Sequence, residues 1–242
     1  NSRDSGNSRD SGNSRDSGNS RDSGDSGKSS GANPTNADPW HVSVWVEKNG
    51  KSAHKCSGVL VGQRTVLTAA NCTRGTKFRD VFVRYGGRQY NDLAHEVDVV
   101  RIDELDIQGK GWGIAVLKLK RDIPTEKGYI EPISLADVTP SEGTNGHFTG
   151  WVPDTNPKFV LKHNRGTIVD KSQCRTIIPP NMICTKWTYG ENCVDEAGGP
   201  LVMNGKLAGI VTLQPGDCIH KANQAHIEIT YYRPYLPKDD DL

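Results

Sequence analysis

The 242-residue chain is long enough for one large domain or two small ones, and its formal net charge of +1 excludes a strong overall field that would attract nucleic acid or an acidic surface. Its 26 glycines and 34% hydrophobic content favour a loop-rich β protein over a helical bundle. No segment approaches the roughly 20 consecutive apolar residues of a membrane span. We therefore expect a β-rich protein that neither binds nucleic acid nor spans a membrane.

The chain begins with a repeat. Residues 1–24 are four copies of Asn-Ser-Arg-Asp-Ser-Gly, and residues 25–31 are a decayed continuation. Because no apolar side chain precedes Ala32, this segment cannot bury enough surface to offset its ordering entropy, and we predict a disordered tail over residues 1–28. Two roles fit it: a flexible spacer, or a multivalent ligand in which four weak epitopes act together. Residues 29–242 are predicted to form the folded domain.

Short apolar segments separated by Gly, Asn, Asp and Pro begin at Trp40. The first, residues 41–46, alternates as a half-buried strand does. Similar runs lie at 59–61, 81–83, 114–117 and 207–211, a spacing that favours an all-β sandwich or barrel. The one helical signal lies in residues 231–242, where Pro234 and Pro237 limit any helix to a short one.

The chain has six cysteines and no Cys-x-x-Cys pair that would suggest a zinc knuckle. Three disulfides formed in an oxidising compartment are favoured over scattered buried thiols in a cytosolic protein. The expected location is therefore extracellular, by secretion, and no metal or cofactor is predicted. The cysteines are Cys56, Cys72, Cys174, Cys184, Cys193 and Cys218.

Four segments in order resemble motifs of the chymotrypsin/trypsin family of serine proteases. Residues 66–72, VLTAANC, resemble VLTAAHC; residues 113–119, GIAVLKL, resemble DIALLKL; residues 181–184 resemble the NMxCA segment; and residues 193–201, CVDEAGGPL, resemble CQGDSGGPL. Gly150-Trp151 also falls where the family has Gly-Trp. The resemblance covers roughly residues 31–232. It implies two packed six-stranded antiparallel β-barrels, with disulfides Cys56–Cys72, Cys174–Cys184 and Cys193–Cys218.

The same motifs imply that the catalytic triad is missing. In active members a serine attacks the carbonyl, a histidine takes its proton, and a buried aspartate orients the histidine. The matching positions hold Ala197, Asn71 and Gly113, which offer no nucleophile, no base and no carboxylate. Loss of the serine or the histidine alone typically costs about a millionfold in turnover. The resemblance therefore implies a catalytically inactive homologue.

The resemblance also implies substitutions in the oxyanion hole and at the activation site that would impair catalysis. Asp195 replaces the glycine of the oxyanion hole and places negative charge where an oxyanion would develop. Glu196 replaces the aspartate that pairs with the new N-terminus after activation. Lys28 would permit the activating cleavage, but Ser29 lacks the apolar side chain that seats that N-terminus.

The specificity pocket and the calcium loop are also altered. Glu191 stands at the pocket floor, and Gln214 and Ala225 replace the two glycines of its walls, so that Gln214 should fill much of the pocket. Residues 86–88, Gly-Gly-Arg, stand near where acidic calcium ligands would begin. A rival hypothesis gives Asn71, Glu196 or Glu191 a role in another hydrolysis, although a lone carboxylate is more often solvated or salt-bridged.

If catalysis is lost, the resemblance implies that the folded domain acts by binding another protein. In the alternative hypothesis the repeat tail is the active part and the domain serves only as its anchor. Inactive homologues include arthropod immune regulators, antimicrobial relatives and the inactivated protease paralogues of parasitic mites. The narrower hypothesis is the mite group, whose members are linked to interference with host complement. The protein partner is not identified by the sequence, and a decoy that captures substrates in the cleft is a further alternative.

Two surface features accompany this hypothesis. A basic cluster, opposed only by Asp80, could bind a polyanion such as a sulfated glycan or could be an ordinary solvated surface. Its members are Arg74, Lys77, Arg79, Arg84 and Arg88. Asn71-Cys72-Thr73 also forms an N-glycosylation sequon, which would place a glycan in the former active site if it is used.

Overall fold

Twelve strands form two closed antiparallel barrels of six strands each, as the resemblance implies. The structure is a computed structural model that describes residues 38–86, 95–106, 112–153, 159–174, 178–187, 196–212, 223–238 and 242. The predicted tail, residues 1–28, lies outside the described residues.

The first barrel contains β1 (His41–Lys48), β2 (Lys51–Gly62), β3 (Thr65–Ala69), β4 (Val81–Tyr85), β5 (His95–Leu105) and β6 (Ile114–Leu119), hydrogen-bonded in the order β1-β2-β3-β6-β5-β4. The second contains β7 (Asn145–Pro153), β8 (Phe159–Val169), β9 (Met182–Trp187), β10 (Pro200–Met203), β11 (Lys206–Val211) and β12 (Gln224–Glu228), in the order β10-β11-β12-β9-β8-β7. The five predicted apolar runs all lie within these strands, which confirms the all-β prediction.

Two tight hairpins follow directly from the sequence. Asn49 and Gly50 join β1 to β2, and Asn204 and Gly205 join β10 to β11. All four residues have positive φ angles, between 51° and 72°. A two-residue turn of this kind matches the twist of its flanking strands, and Asn-Gly is its preferred sequence.

The prediction that β1 is half-buried was wrong. Residues 41–45 are all buried, although their side chains alternate between two faces. Val42 and Val44 point into the apolar core, whereas His41 and Ser43 contact polar side chains of β2 on the opposite face. The alternation of polar and apolar residues in β1 therefore distinguishes a face in the apolar core from a face in a buried polar network. It does not mark a face that is exposed to solvent.

The short C-terminal helix is confirmed, although it begins earlier than predicted. Helix α1 spans Ile229–Tyr232 and continues as a single 3-10 turn over Arg233–Tyr235, which contains Pro234. Tyr232 is buried, and the Asn181 side-chain amide donates to its hydroxyl at 2.7 Å. Within the described ranges, no helix has the length and apolar character needed to cross a membrane.

Candidate functional site

The three residues predicted at the triad positions lie on separate elements. Asn71 is exposed in the 3-10 turn that follows β3, Gly113 is buried immediately before β6, and Ala197 is partly buried before β10. The Ala70 N–H donates to the Gly113 carbonyl at 2.8 Å, which joins the first two positions. The Ser57 N–H donates to the Ala197 carbonyl at 3.0 Å, which ties the segment before β10 to the first barrel.

The backbone closes the space beside Gly113, which the family resemblance predicts at the aspartate position. A β-carbon at Gly113 would lie 2.3 Å from the Leu105 carbonyl oxygen and 2.7 Å from the Asp106 α-carbon. Such distances are far below van der Waals contact, and both neighbours are backbone atoms that cannot rotate away. The end of β5 has thus taken the space that a side chain at position 113 would need.

Glu196 is held from three directions. Its Oε1 contacts His54 Nε2, and its Oε2 accepts a hydrogen bond from the Ser57 hydroxyl at 2.5 Å and one from the Trp151 N–H at 3.0 Å. Both His54 and Glu196 are 13% exposed. Because its oxygens are engaged by the protein itself, Glu196 is poorly placed to act as the general base of another hydrolysis.

The partners of Glu196 are themselves positioned by β1. Ser43 Oγ lies 2.6 Å from His54 Nδ1, and His41 Nε2 lies 2.8 Å from Ser57 Oγ. Burial lowers the pKa of His41 to about 4, against weaker opposing effects of nearby carboxylates, so its imidazole is neutral at physiological pH. We call this set the Glu196 network; its members are His41, Ser43, His54, Ser57, Trp151 and Glu196.

The comparison with known proteins decides the family. The trypsin family model matches residues 17–236. The chain belongs to the trypsin family. It is 33% identical over 192 residues to trypsin theta of Drosophila erecta and equally so to trypsin theta of Drosophila melanogaster, covering 73% of this chain and 71% of each relative. Human kallikrein-12 is 27% identical over 195 residues, or 73% of this chain and 75% of the kallikrein.

Solved structures share the fold of this trypsin-family chain. Scabies mite inactivated protease paralogue S-I1 has a TM-score of 0.69 at 22% identity, covering 81% of this chain and 92% of its own. Paralogue S-D1 gives 0.67 at 22% identity, with 81% and 90% covered. Mouse neuropsin, described as a serine protease, gives 0.66 at 23% identity, with 82% and 93% covered. At these identities the likeness establishes the two-barrel fold.

Two of the three disulfides expected of the family are present. Cys56 bonds to Cys72 beside Asn71, and Cys174 bonds to Cys184. The predicted Cys193–Cys218 pair lies outside the described residues, and so do Asp195, Glu191 and Gln214.

Two other predicted positions are described. Ala225 lies on β12 opposite Cys184, and its carbonyl accepts a hydrogen bond from the Thr212 hydroxyl at 2.8 Å. In the sequon, Asn71 is exposed while Thr73 is buried.

The predicted basic cluster is partly neutralised in this trypsin-family chain. Arg74 pairs with Asp106, and Arg84 pairs with Glu96 at 3.1 Å while its guanidinium lies over the Trp45 ring at 4.2 Å. Arg88 lies outside the described residues. Within the described part of the chain, Lys77 and Arg79 have no carboxylate oxygen within 4.0 Å, so among the described members of the cluster they are the two that no carboxylate pairs with.

These two cations border a groove with a mixed polar and apolar lining. The groove has a volume of about 520 Å³ and lies between the 3-10 turn before β4 and the strand β5. Phe78 and Val100 are 46% and 45% exposed on its surface. The other lining residues are Thr76, Lys77, Arg79, Arg101, Ile102 and Glu104.

A third cluster was not predicted from the sequence. The carboxylate of Asp38 is fully buried, and His147 and His163 lie beside it at 3.1 and 3.0 Å. Burial alone would raise the pKa of Asp38, but the His147 hydrogen bond and the charge of His163 bring it below its ordinary value. Burial lowers the pKa of His163, in spite of the attraction of Asp38 for the charged imidazole. These three residues are widely separated in the sequence, and their pattern carries no motif.

Proposed function

We propose that this trypsin-family chain does not cleave peptide bonds and that it acts by binding another protein. The observation that carries the proposal is the closed space at Gly113, because the family's aspartate cannot be restored there without moving the end of β5. Asn71 and Ala197 support it, since an amide is not a base near neutral pH and a methyl group is not a nucleophile. The names of the two scabies mite structures, which describe inactivated proteases, point in the same direction.

The groove beside Phe78 is the surface that we propose for the partner. Exposed apolar side chains rimmed by polar groups are typical of protein interaction sites. Lys77 and Arg79 favour a partner segment that combines an apolar side chain with neighbouring carboxylates. A sulfated glycan would use the same two cations, but it would not need Phe78.

Inactivity is tested directly on the purified full chain. We expect no turnover of Arg, Lys or aromatic ester and amide substrates above a blank, before or after cleavage behind Lys28. We also expect no reaction with a fluorophosphonate probe, because the Ala197 side chain has no hydroxyl oxygen to phosphonylate. Turnover together with labelling of another residue would support the rival hydrolysis hypothesis.

A restored triad provides the sharper test. The triple variant Asn71→His, Gly113→Asp, Ala197→Ser should remain without measurable turnover, because the new β-carbon at 113 meets the Leu105 carbonyl oxygen. Asp195 and Gln214, if they lie where the family alignment places them, would add a poor oxyanion hole and a filled pocket; a single lost donor in the hole typically costs about 2.7–4 kcal/mol. Turnover near that of an ordinary protease would mean that the cleft is intact and would favour the substrate-capturing decoy.

The binding surface is tested after a partner has been captured from host or body fluid and identified by mass spectrometry. Phe78→Ala and Arg79→Glu should each weaken binding at least about tenfold, whereas Val138→Ala, at an exposed apolar residue away from the groove, should not. If Arg79→Glu weakens binding and Phe78→Ala does not, the ligand is a polyanion. If only deletion of residues 1–28 abolishes binding, the repeat tail is the active part.

Interference with host complement is the narrower form of this proposal. A complement lysis assay should then show inhibition by the wild-type chain and reduced inhibition by Arg79→Glu. Inhibition that is unchanged in this variant would place the active surface elsewhere, and no inhibition would leave only the general binding role.

A further inference from the structure

Three side chains with metal-binding atoms converge at one point beside β1. Asp38 lies in the segment before β1, which begins at His41, while His147 lies on β7 and His163 lies on β8. One oxygen or nitrogen from each residue lies within 4.8 Å of the other two. None of these residues belongs to the degenerate triad, to the Glu196 network or to the proposed partner groove.

The backbone fixes this convergence. On the β7–β8 ladder, His163 pairs with Thr149, which is two residues from His147. Residues two apart point to the same face of a sheet, so His147 and His163 are diagonal neighbours on one face. Their ring centroids are 5.6 Å apart. Asp38 is held at its place because its carbonyl accepts a hydrogen bond from the His41 N–H at 3.0 Å.

The distances suit a small transition-metal ion. Asp38 Oδ1 lies 3.1 Å from His147 Nε2, and Asp38 Oδ2 lies 3.0 Å from His163 Nδ1. Tetrahedral zinc has bonds of about 2.0–2.2 Å to these atoms, which places neighbouring ligand atoms about 3.3 Å apart. These two contacts go to different oxygens of Asp38, and one ligand atom from each residue lies within 4.8 Å of the other two, so rotations of the three side chains would bring their ligand atoms around an ion.

The burial of the three groups also fits a site that is open on one side. The Asp38 carboxylate is 0% exposed, whereas the His147 and His163 side chains are 34% and 39% exposed. A buried carboxylate provides a fixed charge at the bottom of the site, and water can reach an ion past the two imidazoles. Magnesium and calcium prefer sets of six or more oxygen ligands, which this cluster does not offer.

We propose that Asp38, His147 and His163 bind one zinc ion, with water in the remaining position. Two imidazoles and one carboxylate form a donor set that zinc accepts readily. The bound ion would connect the segment that precedes β1 to strands β7 and β8 of the second barrel. Since an ion that binds only the folded state stabilises it, zinc should raise the melting temperature of the protein.

The test uses the full chain without a polyhistidine tag, stripped with a chelator and titrated with zinc chloride by calorimetry. We expect one zinc ion per chain and a higher melting temperature in zinc. His147→Ala and His163→Ala should each weaken zinc binding at least about tenfold, and the double variant should not bind. His95→Ala, which removes an exposed imidazole from β5, is the matched control and should bind as the wild type does.

Cobalt substitution provides a second readout that does not depend on stability. Visible absorption bands of the cobalt-loaded wild type should show nitrogen and oxygen ligands in a site of low coordination number, and these bands should be lost in the double variant. Absence of stoichiometric zinc binding by the wild type overturns the proposal, even if a variant fails to fold. Zinc binding that survives in a folded double variant overturns it as well, and the cluster is then a buried carboxylate held by two imidazoles.

Discussion

His226 should make the stability of the protein depend on pH. It lies on β12 within the second barrel, fully buried, with its Nε2 at 2.8 Å from the Thr185 hydroxyl and its ring 5.1 Å from that of Phe148. Burial lowers its pKa from 6.5 to about 3. The folded protein therefore keeps this imidazole neutral, whereas the unfolded chain protonates it below about pH 6.5.

The sign and size of the effect follow from this difference. Because the pKa is lower in the folded state, the contribution to stability is complete above pH 6.5 and is lost as the pH falls toward the pKa of the folded state. Each pH unit in this interval is worth about 1.4 kcal/mol, so His226 alone should reduce the free energy of unfolding by about 2 kcal/mol between pH 6.5 and about pH 5.

Urea unfolding at pH 7 and at pH 5 measures this loss, with His226→Gln as the test variant. Glutamine can still hydrogen-bond to Thr185 but does not titrate, so the variant should lose about 2 kcal/mol less than the wild type between the two pH values. His95→Gln is the control and should follow the wild-type pH dependence. An equal loss in wild type and His226→Gln would refute the reasoning, because His226 would then not be held neutral in the folded protein.

Three further results are expected. His54→Ala should lower the free energy of unfolding by about 1–3 kcal/mol in urea, because it removes one hydrogen-bonding partner of the largely buried Glu196 carboxylate; a change within experimental error would contradict the buried network. Gly113→Ala should destabilise by about 1–3 kcal/mol in the same assay, because its β-carbon meets backbone; wild-type stability would show that the space is open. Non-reducing peptide mapping should find Cys193 joined to Cys218, and any other partner of Cys193 would refute the pairing implied by the family.

The fold could be predicted from the sequence because its signals are local and ordered. Apolar runs such as 59–61 and 114–117 identified strands, and the motifs around Cys72 and Cys193 identified the two-barrel arrangement. The alternation in residues 41–46 was misread because the period of two shows that a strand has two different faces, but not what covers each face. Here the polar face is buried in the protein: His41 and Ser43 contact Ser57 and His54 of β2, and the His41 ring packs against Trp151.

The site could be predicted only in part. The sequence predicts Asn71, Gly113 and Ala197 at the triad positions, but the closure at Gly113 depends on where the end of β5 lies. The charge of the basic cluster was overestimated, because the carboxylates that pair with its arginines come from β5 and from Asp106. Asp38 and His147 could not be connected, since only the barrel geometry brings such distant residues together.

The crowded backbone at Gly113 has a consequence for redesign of this chain. An acidic residue introduced at position 113 alone would cause a folding defect, because its β-carbon would meet backbone atoms of Leu105 and Asp106. A design that needs a carboxylate there must therefore rebuild the end of β5 first, so the side chain and the backbone cannot be changed independently at this position.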